Sequence, residues 1–332
     1  MSRRIAAKIT GVSGYVPPRV MSNAELEKLV ETNDAWIRER TGIRERHVVE
    51  KGVATSDLAT AAARQVLASR NVLATEIDLI VVASVTPDMM FPATACLVQE
   101  NLGAKGAWGF DLSAACSGFV YALTVAAQFV GAGTQKKALA IGSDVMTSIL
   151  NYQDRATCVL FGDGAGAFLI EPAADGERGF VGHKHLIDGS GAHVLNMPAG
   201  GSRMPPSHET VEKRLHFVKQ EGQAVFKFAV KKMGDISAAL MEEHGLKTED
   251  IAVMIPHQAN KRIITACADR IRMPYEQVII NIDRYGNTTS GTLPLATQDA
   301  VQQGLLSKGK YALFAAVGAG FTVGASLWRW EI

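Results

Sequence analysis

Short apolar runs rich in valine and isoleucine alternate with alanine-rich stretches of helical character along the whole chain. The runs Ile77–Ser84, Ala138–Gly142, Ala165–Ile170, Ile251–Ile255, Val278–Ile282 and Tyr311–Val317 carry almost no charge. A strand covered on both faces has that composition, because neither face meets water. Between them the sequence predicts helices. Ser56–Ser69 opens on a Ser-Asp cap, and Cys116–Val130 is apolar nearly all round and so belongs deep in the core. Gln223–His244 is amphipathic, and Asn260–Ile271 is a further candidate. This alternation predicts an α/β fold with layered sheets.

The alternation also repeats. Leu73–Ser84 (LATEIDLIVVAS) is similar to Leu246–Gln258 (LKTEDIAVMIPHQ). Each is followed by a strand and a small-residue turn, Phe110–Gly118 and Asn281–Gly291, and then by a strand after lysine. A duplicated strand–helix unit predicts two similar halves, 1–175 and 176–332, joined near the turn-rich Pro172–Gly179. Asn196–Glu209 reads as a long surface loop. Ala312–Trp328 is too short and too rich in glycine for a membrane span and reads as strand–turn–strand. Met1–Arg4 is basic, but no continuous apolar run follows, so no signal peptide is expected.

The balance of 34 basic to 33 acidic residues leaves no global field for nucleic acid or an anionic membrane. Four irregularly spaced cysteines match neither a disulfide scaffold nor a zinc pattern. Free thiols fit a reducing, cytoplasmic setting.

One of those thiols, Cys116, lies in Asp111–Phe119 (DLSAACSGF), where a strand ends, small residues turn the chain and an apolar helix starts. Unpaired N–H groups and the helix dipole at such a turn favour the thiolate, the nucleophilic form. The alternative is a buried inert cysteine; Cys96, Cys158 and Cys267 read as packing. His257 ends a strand in PHQAN, and Asn287 follows the Val278–Ile282 run in YGNTTSG. Under the repeat, three strand-end turns converge on one pocket, where open α/β sheets place their sites. FGDGAGA and VGAGFTVG lack a phosphate-loop spacing, so glycine there serves tight packing. His183 and His185 have no partner motif, and no metal is assigned.

Together these residues resemble the β-ketoacyl-acyl-carrier-protein synthase III family. The resemblance runs end to end through TNDAWIRERTGIRER (Thr32–Arg46), FPATAC (Phe91–Cys96), DLSAACSGF, FGDGAGA, PHQAN, YGNT and GFTVGAS. It implies the thiolase-like five-layer α/β/α/β/α fold, a homodimer, and catalysis without a cofactor by Cys116, His257 and Asn287. Cys116 would be acylated by acyl-CoA. His257 and Asn287 would hold the enolate formed from malonyl-carrier protein, His257 as a neutral ring aiming a donor nitrogen inward. Thr32, Trp36, Arg40, Arg155, Gln223 and Asn260 would bind CoA. Without the resemblance, Trp36 and Arg40 read as a surface pair on one helix. Phe91 and Val317 would bound the acyl pocket. Lys227, Lys261 and Arg262 would dock the acidic carrier protein. The N–H groups of Cys116 and Ala319 would hold the acyl oxyanion.

Ala319 departs from the family's usual glycine, so a positive φ there would be costly. Val317, Gln223 and Ser290–Gly291 also depart from the usual residues. They leave primer length open. An acyltransferase or condensing enzyme of secondary metabolism remains the alternative.

Overall fold

The structure is a computed structural model that describes residues 6–332; the basic Met1–Arg4 stretch lies outside it, with Ile5. Two sheets dominate. The first is built from β1 (Ala7–Tyr15), β2 (Leu79–Ala83), β3 (Trp108–Leu112), β4 (Ala138–Asp144) and β5 (Gly164–Pro172), in the order β1-β5-β4-β2-β3. The second is built from β6 (Phe180–Ile187), β7 (Ile251–Pro256), β8 (Tyr311–Gly318) and β9 (Thr322–Arg329), in the order β7-β8-β9-β6.

The two orders correspond strand by strand. In each sheet the first-entering strand pairs antiparallel with the last, which pairs antiparallel with a third. That third strand pairs in parallel with a fourth, β4 with β2 and β8 with β7. The first sheet continues in parallel into β3. At the matching position of the second sheet, Val278–Ile282 does not form the expected strand. It makes one parallel bridge, Met254 to Val278, and Ile279 N–H bonds Met254 O. The segment then enters a short helical turn at Ile282–Tyr285 instead of extending the ladder.

Helices complete five layers. The helices are α1 (Asp34–Thr41), α2 (Thr55–Arg70), α3 (Thr94–Leu102), α4 (Gly118–Gly131), α5 (Gly222–Glu243), α6 (Lys261–Arg270) and α7 (Thr292–Gln302); α2, α4, α5 and α6 match the predicted helical stretches, and α1, α3 and α7 add to them. α2 and α3 cover the outer face of the first sheet, and α5, with α6 against it, covers the outer face of the second. α4 and α7 lie between the sheets. α4 is buried on nearly every face, as its composition demands. Phe119 of α4 meets Phe168 edge-on, with ring centroids 4.8 Å apart, and Phe168 meets Phe314 at 6.0 Å. Phe168 of the first sheet thus meets both the central layer and the second sheet.

Glycines in the FGDGAGA run serve packing. A β-carbon on Gly166 would overlap the Pro294 ring of α7. Two local readings change. The start of α2 is capped by Asp57, which accepts Ala54 N–H at 2.9 Å, whereas Ser56 bonds Asp88. The 196–209 segment is partly ordered: Leu195–Asn196 pairs with Lys219–Gln220, and a short helix begins at His208.

Candidate active site

Cys116 sits in a single 3-10 turn, Ala115–Ser117, that leads directly into α4. Ala115 has φ of +47°, a left-handed conformation that reverses the chain at the end of β3. The thiol is 7% exposed. Burial, with the buried Asp144 carboxylate nearby, pushes it up to about 12. The polar side chains of Asn287 and Thr289 act in the opposite direction. Burial thus opposes the thiolate that the helix terminus favours.

His257 follows β7 directly. Its N–H bonds Ala315 O of β8 at 2.8 Å, and Pro256 ends the ladder. The ring is 2% exposed. Burial lowers its pKa to about 3, which favours the neutral ring. Nδ1 lies 2.7 Å from Thr292 Oγ1, and Nε2 is buried without a protein partner among the described residues. Gln258, absent from the predicted set, fastens this turn. Its amide donates to Pro256 O and Ile279 O, and its oxygen accepts Asn281 N–H and Ile282 N–H.

Asn287 is locked into the first half of the chain. Its N–H bonds Leu160 O, and its carbonyl accepts Gly162 N–H. Its Oδ1 accepts Thr289 N–H at 2.9 Å, so the amide nitrogen is the end left to meet the sulfur. Thr289 holds φ of +52°, a strained state for a β-branched residue. The next residue, Ser290, is anchored by N–H to Asp144 Oδ2 at 2.9 Å. Asp144 also accepts from Ser84, Val85 and Thr86. Thr289, Thr292 and Asp144 are thus parts of the site that the sequence reading missed. The hydroxyl-rich run NTTSGT and an acid closing an apolar strand were the signals for them.

Cys116, His257 and Asn287 line one cavity of about 630 Å³. Trp36, Arg40, Gln223, Lys227, Asn260, Arg262 and Val317 line it as well. The first three residues are buried and the cationic ones exposed, so the cavity runs from a basic rim to a buried floor. Asn260 caps α6 through Arg262 N–H and donates to Arg40 O at 2.9 Å, which ties α6 to α1.

Other predicted residues fall elsewhere. Arg155 stacks directly over the Trp36 ring, 5.2 Å from its centroid, and donates to Glu31 O. An aromatic ring between two planes needs roughly 7 Å, so the guanidinium must move aside for a base to enter. Thr32 does not line the cavity, and its hydroxyl is buried without a partner among the described residues. Lys261 faces a neighbouring cleft with Arg38 and Arg44. Phe91 is 83% exposed and does not line its own chain's cavity.

Ala319 is not in the positive-φ region; the left-handed residue of that turn is Gly320, at φ +135°. The expected strain at Ala319 therefore does not arise. The glycine that matters is Gly318, where a β-carbon would lie 2.7 Å from Cys116 N.

The remaining thiols divide. Cys158 and Cys267 are buried, but Cys96 is exposed on α3, against the expectation of packing. His185 Nε2 is spent on Thr124 Oγ1, and its ring packs on Tyr121.

Comparison with known proteins decides the family. Residues 110–189 match the family model described as 3-Oxoacyl-[acyl-carrier-protein (ACP)] synthase III, and residues 241–330 match the model of its C-terminal part. A protein of Solibacter usitatus named Beta-ketoacyl-[acyl-carrier-protein] synthase III is 62% identical over 98% of both chains. The chain belongs to the 3-oxoacyl-[acyl-carrier-protein] synthase III family. A family member of Caldanaerobacter subterraneus is 49% identical over the full length of both chains. The crystal structure of 3-oxoacyl-[acyl-carrier-protein] synthase III from Aquifex aeolicus superimposes with a TM-score of 0.90 at 39% identity, covering 98% of this chain and all of that one. The fold is accordingly the thiolase-like one of the synthase III family.

Proposed function

We propose that this chain condenses an acyl-CoA primer with malonyl-carrier protein, releasing CO2 and CoA and giving 3-ketoacyl-carrier protein, the first condensation of type II fatty-acid synthesis. The observation that carries the reading is the convergence of a nucleophile, a neutral imidazole and an oriented amide on one buried floor.

In the first half-reaction Cys116 attacks the thioester of the primer and CoA leaves. The N–H groups of Cys116 and Ala319 hold the oxyanion, a role worth ~3–4 kcal/mol per donor. In the second, malonyl-carrier protein loses CO2. The resulting thioester enolate, held by His257 and Asn287, attacks the acyl-Cys116 carbonyl. Loss of CO2 generates the carbanion, so the residues need only stabilise it, and we assign no cofactor.

Trp36, Arg40, Arg155, Gln223 and Asn260 receive CoA, supported by an indole face and guanidinium groups at the rim. Thr32 belongs to that path only if its hydroxyl turns outward. The exposed Lys227, Lys261 and Arg262 dock the acidic carrier protein. Val317 bounds the acyl pocket. Phe91, exposed on its own chain, closes the pocket of a second copy and favours short primers.

That copy completes a homodimer. β3 is an unpaired edge carrying the half-exposed Trp108, with Met89, Met90 and Phe91 also exposed. We divide the chain at 175/176 into two halves, one bringing Cys116 and the other His257 and Asn287. No described helix is long and apolar enough to cross a membrane, and the described cysteines are unpaired. We place the reaction in the cytoplasm.

Release of CO2 from malonyl-carrier protein tests the reading. It should require His257 and Asn287; acylation of Cys116 without any CO2 release would contradict it.

A further inference from the structure

We propose that a cleft beside the cavity mouth, lined by Arg38, Arg44 and Lys261, is a second docking point for the carrier protein and takes acidic side chains of its surface. This rests on the reading above and extends the contact to Arg38 and Arg44, neither of which lines the cavity.

The cleft has a volume of about 410 Å³. The three cations stand over the apolar Ile280 and Ile282. A ridge separates it from the cavity. Gly42 ends α1 at φ of +86°, and a β-carbon there would lie 2.8 Å from Lys261 Cβ. Asn260, just before Lys261, donates to Arg40 O at 2.9 Å. The end of α1 and the start of α6 therefore touch, and together they form the ridge. Residues two apart on a helix are rotated by about 200°, so neighbouring side chains point down opposite slopes. Arg40 lines the cavity and Arg38 the cleft. Asn260 and Arg262 line the cavity and Lys261 the cleft.

The charge on both slopes is left open. Arg38 donates to Asp34 Oδ2 at 3.2 Å. The side chains of Arg44 and Lys261 enter no ion pair or hydrogen bond with a described residue. Arg40, Lys227 and Arg262 at the mouth likewise have no ion-pair partner among the described residues. Elsewhere cations are neutralised within the chain, as Lys137 is by Glu76 and Arg270 by Asp235. On a chain with a net charge of only +1, unneutralised cations on both sides of one ridge mark a face for an acidic partner. A free anion would account for the cleft but not for its continuity with the mouth. The carrier protein accounts for both, because its body must press on this ridge for its arm to reach Cys116. Asp283 is the carboxylate that lines the cleft, and it opposes such a partner.

The test measures the KM for malonyl-carrier protein with full-length enzyme at low and high salt. Arg44→Glu reverses a side chain that has no bonding partner among the described residues. KM should rise by on the order of 10-fold at low salt, with kcat unchanged and the rise shrinking at high salt. Asp283→Asn removes the opposing charge and should lower KM. Acylation of Cys116 by acetyl-CoA should be unchanged in both variants. An unchanged KM in Arg44→Glu would overturn the proposal. So would a matching loss of acylation by acetyl-CoA, which would assign the cleft to CoA or to the fold. If the wild type releases no CO2, the functional reading fails on its own. Calorimetric titration of the unloaded carrier protein into wild type and Arg44→Glu then decides the docking: weaker binding to the variant supports it, and equal or absent binding overturns it.

Discussion

At Cys116 the motif led to a residue on the cavity floor, where burial opposes the thiolate expected of it. The turn and helix start were legible in small residues, but the degree of desolvation depends on Asp144 and on loops distant in sequence. Gly318 shows how little room the nucleophile has. Gly318→Ala sets a methyl against Cys116 N, where neither backbone can yield. We expect about 1–3 kcal/mol lost in thermal or denaturant unfolding, with acylation impaired. Unchanged stability and acylation would contradict that packing. His257 sets a pH dependence. Its folded pKa, about 3, lies below the ordinary 6.5, so the unfolded chain takes up the proton first as pH falls. Stability is full above about 6.5 and is lost on acidification toward 3, by on the order of 2 kcal/mol from pH 7 to pH 5. His185, lowered to about 4, acts with the same sign. A flatter acid limb in His257→Gln, read from unfolding midpoints, is the expected outcome; a parallel limb would contradict it.

Among the elements, those with strong periodicity were legible and those defined by tertiary pairing were not. α2, α4, α5 and α6 follow their apolar patterns to within a few residues. β6 escaped notice because its lysine and histidines break the apolar run at an exposed edge. Val278–Ile282 has strand composition, yet Gln258 claims the N–H groups of Asn281 and Ile282 that a ladder would need. Asp144 links elements that no local pattern connects, from the end of β4 to the turn after Asn287. Asp144→Asn keeps the shape but forces an amide against Ser290 N–H or against the Ser84–Thr86 donors. Removing one buried partner in this way should cost about 1–3 kcal/mol and lower the acylation rate. A melting curve and rate equal to wild type would show that the carboxylate does not hold the Asn287 turn.

Over the whole molecule the duplication was visible in two faint sequence echoes, and the sheets repeat one strand order and one set of directions. What single-chain sequence reading lacked was depth: which rim residues enter the cavity, and which, like Phe91 and Lys261, face away from it. The exposed β3 edge belongs to this scale. Trp108→Lys alters a half-exposed edge residue whose ring meets Phe110 and Phe129, and light scattering should show the proposed dimer shifted toward monomer. A wild-type monomer would remove the partner's Phe91 from the site. The central claim, that Cys116 accepts the primer from acyl-CoA, is tested most directly by intact mass after incubation with acyl-CoAs from acetyl upward. We predict one acyl group per chain, strongest with short primers and absent in Cys116→Ser. An acyl adduct retained in Cys116→Ser would contradict the account.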